Sequence, residues 1–531
     1  MSGKRVLAVY AALLLGFAVV LCRLYTLAQN PAYAARAEAQ STVTLQLPTR
    51  RGNFYDHQGR LLTGLETNWQ ALCFPGEENY ARLYAYTDEA GQALLYRSRN
   101  RAAPFLLETD RDLTALGVPS YASAKRYAAV PLCQHLIGYL DGDGHGAAGL
   151  EKALNAVLTG TGAHSSIACA VTAQGALRTG EAPQLTQADS GALGVQLTID
   201  RTVQRAAEAV AAQTMTSGCI LVLDTATAAV RASVSVPGYD LEHLAASLQA
   251  ANSPFMNRAL QSYAVGSVFK PVLAAAALEN GILPVYECTG AVVVDGQIFR
   301  CAGSVPHGEV TLADALAKSC NGYFIRLGQQ LGAETVLQMA RAFGFGQSVE
   351  LVSGLAAEAG QLPTAQELAQ SGQLANFSFG QGSMMASPVQ IAALFNTIAA
   401  DGIYRTPSFV IGTLDETTGQ PLQTLAHLRQ RRVFWAQSAA ALRTMLVQVV
   451  EEGTGQDAAG LSGGAGGKTG TAQTGQFTAD GEEYKNLWFA GFYPAQKPRY
   501  TVVVLQDGVQ HPACSSVAVF AQLCTALELL G

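Results

Sequence analysis

Residues 6–22 carry no charge, and Lys4 and Arg5 precede them. Few patterns restrict a chain so firmly. Inside a bilayer nothing but the segment itself can satisfy backbone N–H and C=O groups, so a run of this kind must be helical there. Arg23 can snorkel to the surface, which lets Leu24–Leu27 lengthen the apolar stretch. The run is longer than the ~7–15 residues of a cleaved secretory signal. It reaches the lower edge of the ~17–25 residues that cross a membrane. Ala32-Tyr33-Ala34 has the form of a cleavage site but lies well past the run, and Leu21 before Cys22 is too bulky for a lipoprotein signal. The reading is a signal anchor over residues 6–28. Residues 1–5 form a short cytoplasmic tail, and the remaining chain lies outside the cell membrane as a single-pass protein.

The rest of the chain is globular in character. A length of 531 residues suggests two to four domains. With 49% hydrophobic and 14% charged residues, large cores are available and disorder is disfavoured. The net charge of −6, without a basic arm, gives no support to nucleic-acid binding. Ten cysteines form no C-x-x-C pair and no Cys/His cluster at zinc spacing, so neither metal nor cofactor is expected. Cys288 and Cys301 bracket a stretch, 289–300, that reads as a hairpin. A disulfide or two reduced core thiols fit them equally.

Residues 29–195 read as strand-rich. Residues 41–47 alternate polar and apolar, 57–60 signal a turn, 148–158 have a helical pattern, and 172–196 have linker or hairpin character. From residue 196 the pattern changes. Residues 201–215 are helical, 219–223 and 229–236 read as strands, and 389–400 as a core helix. Two further strands, 486–493 and 499–506, precede a helix over 516–529. Strands at both ends with helices between predict one large α/β unit, residues 196–531.

The chemistry begins with lysine, of which the chain has eight. Lys270 alone has a serine three positions earlier, in Ser267-Val268-Phe269-Lys270. A helix over 267–278, with Pro271 in its first turn, places Ser267 and Lys270 one turn apart on one face. A serine hydroxyl is a weak nucleophile until a base takes its proton, and burial makes a lysine such a base. Alone this pair means little, and a stray polar pair on a surface helix is the better reading. Ser319-Cys320-Asn321 follows a helix-like stretch at 311–318. Lys468-Thr469-Gly470-Thr471 follows a glycine-rich run and enters a strand. Its lysine and hydroxyls suit a substrate carboxylate, and Gly470 lets a ligand approach the backbone. Ser98-Arg99-Asn100 also fits the second pattern but precedes the nucleophile and is read as chance. In this order the three motifs are the signature of penicillin-binding proteins and serine β-lactamases.

Beyond those motifs the chain resembles the class B penicillin-binding proteins. Arg51-Gly52-Asn53-Phe54-Tyr55-Asp56 with Gly59, and Gly149-Leu150-Glu151 with Leu158-Thr159-Gly160, resemble the family's non-catalytic pedestal. Leu197-Thr198-Ile199-Asp200, Pro237-Gly238-Tyr239-Asp240, Asn257-Arg258-Ala259, Gly380-Gln381-Gly382 and Trp488-Phe489-Ala490-Gly491-Phe492 resemble landmarks of its catalytic domain. Val265, Val268 and His57 depart from the usual proline, threonine and arginine, and none removes a reacting group. The resemblance implies a pedestal over 29–195 and a penicillin-binding transpeptidase domain over 196–531. That domain, β-lactamase-like, would combine an antiparallel sheet with a helical subdomain and run to Gly531 without appended modules.

The resemblance also implies roles. Ser267 would be the nucleophile and Lys270 its base. Ser319 would relay a proton to the leaving amine, Asn321 would hold the substrate peptide, and Lys468 would tune the proton network. Thr469, Gly470 and Thr471 would bind the terminal carboxylate, with the backbone N–H groups of Ser267 and Thr471 as oxyanion hole. Substrates would be peptidoglycan stem peptides, a D-Ala-D-Ala donor and an amine acceptor. β-Lactams would inhibit, and a membrane-embedded glycosyltransferase would be the partner. A serine β-lactamase or D,D-carboxypeptidase is the enzymatic alternative, with water as acceptor, but no glutamate stands out to activate it. A β-lactam sensor or scaffold that activates a glycan polymerase is the non-enzymatic one.

Overall fold

In the computed structural model, residues 3–48, 50–101, 103–172, 174–241, 243–250 and 252–530 are described. Met1 and Ser2 of the expected tail lie outside them. The chain divides into two compact units, and their make-up differs from a single cut at residue 195.

The smaller unit comprises Met1–Arg51, Gly64–Ala128 and Thr159–Ala192. It starts with the helix Gly3–Ala28, whose 26 residues bury no side chain. At 1.5 Å per residue it is roughly 39 Å long, enough to cross a membrane. A second helix, Pro31–Ser41, starts where Asn30 accepts a hydrogen bond from the Ala32 N–H and Pro31 sets the first turn. The strand expected at 41–47 is Thr42–Gln46. It pairs antiparallel with Ser166–Ala170, which pairs in turn with Gln184–Thr186. A second sheet has Glu66–Cys73 between Phe105–Thr109 and Ser120–Lys125. Its strands bury Ala71, Cys73, Phe105 and Leu107 on one side and Leu72 on the other, beside Ile167 and Cys169.

The larger unit comprises Gly52–Thr63, Ala129–Leu158 and Leu193–Gly531. Its centre is a five-stranded antiparallel sheet in the order Val230–Val236, Gly218–Asp224, Tyr500–Val509, Glu483–Tyr493, Gly466–Phe477. The last strand in chain order but two, Gly466–Phe477, is thus an edge. Gly218–Asp224 and Tyr500–Val509 carry unbroken apolar runs, residues 219–223 and 502–505, because helices cover both faces. On one face the helices Arg201–Thr214 and Ser516–Glu528 bring Val203, Ala207, Phe520 and Leu523 against Ile220, Val222, Val502 and Val504. Against the other face lies Pro388–Ala399, with all twelve residues buried. Ser387 and Gln390 form its capping box. Within that helix Asn396 accepts from the Thr501 hydroxyl and donates to the Thr225 carbonyl, so this buried amide is satisfied.

Two segments read from the sequence as part of the strand-rich region pack in this unit. Phe54–Tyr55 pairs in parallel with Gly194–Leu197. Buried Asp56 accepts from the Gln58 and Arg60 N–H groups and pairs with the Arg60 guanidinium at 2.6 Å. Arg60 also reaches Asp200 at 3.3 Å. Farther along, the Cys133 N–H donates to Glu208 and the Gln134 side chain to the Tyr239 carbonyl.

Candidate active site

Ser267 lies in a 3-10 turn, Gly266–Phe269, that runs into the helix Lys270–Asn280, with Pro271 in its first turn. The helix expected over 267–278 therefore begins as a tighter turn. Gly266 has φ +65°, and a Cβ there would meet the Thr471 carbonyl oxygen at 2.6 Å. Only glycine accepts both conditions. Its N–H donates to the Gly380 carbonyl at 2.8 Å, so Gly380 helps fix the turn. Below the turn, Phe269 packs on Phe345 and Phe377.

Lys270 is fully buried. Its Nζ donates to the Ser319 carbonyl at 2.7 Å, Ser319 Oγ at 3.1 Å and Asn321 Oδ1 at 2.7 Å. Three acceptors match the three protons of an ammonium group. Burial nevertheless pushes its pKa down to about 7, because the charged form has lost its water. The first two motifs, 49 residues apart along the chain at Lys270 and Ser319, thus meet on one nitrogen.

The turn that carries Ser319 explains how. The helix Leu312–Ala317 ends at Lys318, and the Cys320 N–H reaches back to the Ala315 carbonyl. Ser319 takes φ +54° at this stop, a left-handed backbone that serine adopts at a cost. Cys320 then caps the next helix, Asn321–Leu331, accepting from the Tyr323 N–H. The chain reverses within three residues, and the side chains of Ser319 and Asn321 both reach Lys270. Asn321 Nδ2 donates to the Arg300 carbonyl at 2.9 Å, which fixes its amide.

The third motif lies on the edge strand Gly466–Phe477. Lys468 is fully buried, and its Nζ is 3.2 Å from the Thr469 carbonyl and 3.3 Å from Thr469 Oγ1. Burial, and then the charge of Lys270, push its pKa well below the usual range. Thr469 Oγ1 is 2.7 Å from Thr454 Oγ1. Gly470 lies against the nucleophile turn, since a Cβ there would come 2.9 Å from Val268 Cγ1 and 3.2 Å from the Val268 nitrogen. Thr471 is exposed, and Gln381 Nε2 donates to its carbonyl at 3.4 Å. Trp488, opposite Gly470, donates from its indole N–H to the Ala264 carbonyl at 3.0 Å. All three motifs therefore converge beside Ser267. Ser98 and Asn100 belong to the smaller unit.

A family model for the penicillin-binding protein transpeptidase domain matches residues 218–524. The chain belongs to the class B penicillin-binding proteins. Penicillin-binding protein PbpB of Mycolicibacterium smegmatis is 32% identical over 74% of this chain and 62% of that protein. Peptidoglycan D,D-transpeptidase PbpA of the same organism is 31% identical over 58% of this chain and 67% of its own length. The chain thus spans about two thirds of these curated relatives. Among solved structures, one described as a peptidoglycan synthase complex that coordinates polymerization and crosslinking has a TM-score of 0.72. It is 24% identical and covers 99% of this chain and 98% of that one. The expected fold class, an antiparallel sheet with helices in a transpeptidase-type domain, is the one found.

Proposed function

We propose that this class B penicillin-binding protein is a peptidoglycan D,D-transpeptidase that works through an acyl-enzyme on Ser267. The observation that carries the reading is the convergence of Ser319 and Asn321 on buried Lys270, one turn from Ser267. With its pKa lowered to about 7, Lys270 is partly a neutral amine at neutral pH. It takes the Ser267 proton as Oγ attacks the penultimate D-Ala carbonyl of a stem peptide. The ammonium so formed donates to Ser319 Oγ, and Ser319 passes its own hydroxyl proton to the departing D-Ala nitrogen as the C–N bond breaks, which leaves Lys270 neutral again. An amine of a second stem peptide then attacks the ester. It gives a proton back through the same groups, forms the cross-link and frees Ser267. Asn321 holds the substrate peptide, and Lys468 tunes the proton network. Thr469, Gly470 and Thr471 bind the terminal carboxylate along the sheet edge, where one row of backbone groups has no strand partner. The N–H groups of Ser267 and Thr471 receive the oxyanion, each such donor being worth ~3–4 kcal/mol.

The functional division we propose is a cytoplasmic tail at 1–5, an anchor at 6–28, a pedestal over 29–195 and a transpeptidase domain over 196–531. The catalytic domain works on the outer side of the cell membrane, beside a membrane-embedded glycosyltransferase. Acylation is tested by labelling the full-length protein with fluorescent penicillin, beside Ser267→Ala. The wild type retains a long-lived label and the variant takes none. A label on Ser267→Ala at the active site would overturn the assignment. Rapid turnover of penicillin by the wild type would instead indicate a β-lactamase. Full complementation by Ser267→Ala would favour a scaffold role.

A further inference from the structure

Cys320, the middle residue of the second motif, belongs to a cluster of side chains that the reaction does not use. Cys288 ends the strand Tyr286–Cys288, and Cys301 follows the hairpin of Ala291–Val294 and Gln297–Arg300. His307 precedes the strand Gly308–Val310, whose first residue lies opposite Cys288. The three sulfurs and one ring nitrogen of Cys288, Cys301, His307 and Cys320 lie within 4.8 Å of one another. Cys288 Sγ is 3.7 Å from Cys301 Sγ and 3.4 Å from His307 Nδ1, and Cys301 Sγ is 3.9 Å from Cys320 Sγ.

These separations have a chemical meaning. Two thiolates at 2.3 Å from a tetrahedral zinc ion are ~3.8 Å apart, and a thiolate and an imidazole nitrogen are ~3.5 Å apart. A disulfide would need sulfurs at ~2.05 Å and would leave one of the three cysteines unpaired. The cysteines are buried and His307 partly so. The surroundings are those of metal-bound thiolates. The Tyr323 N–H donates to Cys320 Sγ at 3.5 Å. The His307 N–H donates to the Cys288 carbonyl, closing the loop that carries both.

We propose that Cys288, Cys301, His307 and Cys320 bind one zinc ion in a closed tetrahedral site that holds the Ser319–Asn321 turn in place. Soft sulfur donors with one imidazole select zinc over the hard cations. Four protein ligands leave no position for water, so the ion positions residues and does not react. On binding, the three thiols release their protons to solvent. Cys320 is bonded on one side to Ser319, in its strained left-handed backbone, and on the other to Asn321. A metal on Cys320 therefore fixes both partners of Lys270.

Elemental analysis of the full-length protein, purified in detergent with a thiol reductant and without added chelator, tests the site. The expected content is about one zinc ion per chain. Cobalt exchanged into it should show sulfur-to-metal charge transfer and tetrahedral ligand-field bands. Cys301→Ser and His307→Ala should lose most of the metal, while Ser267→Ala keeps it all, so the zinc result stands apart from the acylation result. Zinc below about a tenth of the chain concentration together with no tetrahedral cobalt spectrum would overturn the proposal. So would a Cys288–Cys301 disulfide in peptide mass analysis. Removing zinc from the wild type should slow penicillin labelling about tenfold or more, with recovery on adding zinc back. Unchanged labelling of the zinc-free protein would overturn the positioning role.

Discussion

At the scale of single residues, Lys270 connects sequence to chemistry. Its spacing from Ser267 was legible because a helix brings residues three apart onto one face. What spacing could not show was the burial that lowers its pKa to about 7. The sign of the resulting pH dependence is fixed. Above the folded pKa the amine is neutral and accepts the serine proton, and below it the ammonium cannot. The second-order rate of penicillin acylation should therefore rise between about pH 6 and 8 and level off above, as stopped-flow fluorescence would show. Lys270→Ala should lower that rate by ~10²–10⁴-fold, the usual worth of a positioned base. The left-handed backbone of Ser319 was not legible either, since a motif gives residue types and not torsions. The same holds for the sulfur cluster. Its members are separated by a hairpin and a loop, longer than the short intervals by which zinc sites are recognised, and only the antiparallel pairing of Cys288 with Gly308 brings His307 back.

At the scale of elements, strands buried on both faces were the most readable, because residues 219–223 and 502–505 are apolar without a break. The short 3-10 turn before Lys270 was read as helix, since residue pattern does not separate the two. The closeness of that turn to the edge strand leads to a prediction. Gly470→Ala would place a methyl group 2.9 Å from Val268 Cγ1. The strand must then shift, and small displacements of reacting groups can cost ~10²-fold in rate. Acylation kinetics should show a loss approaching that size, while overpacking costs only ~1–3 kcal/mol by urea denaturation. The reverse ratio, a large stability loss with normal acylation, would mean that the strand is not a wall of the site. Phe269→Ala tests the support beneath. Loss of its packing on Phe345 and Phe377 should cost ~3–5 kcal/mol by the same measurement.

At the scale of the whole molecule, the apolar N-terminal helix was plain from composition, whereas the assignment of residues 52–63 and 129–158 to the larger unit was not. Contacts such as Arg60 with Asp200 and Gln134 with Tyr239 join residues more than a hundred positions apart, which no local pattern records. A chain lacking residues 1–28 should appear in the soluble fraction of a cell lysate and still acylate, a result that membrane fractionation and labelling would give together. The sheet order has a further consequence, for biosynthesis. Tyr500–Val509 lies in the middle of the sheet, between Gly218–Asp224 and Glu483–Tyr493, yet it is the last of the five strands to be made. A nascent chain thus holds two unjoined halves of its core until Tyr500–Val509 has been made. Nonsense alleles at codons before Tyr500–Val509 should consequently be as null as early ones, and their products should fall to proteases instead of accumulating as shortened enzymes.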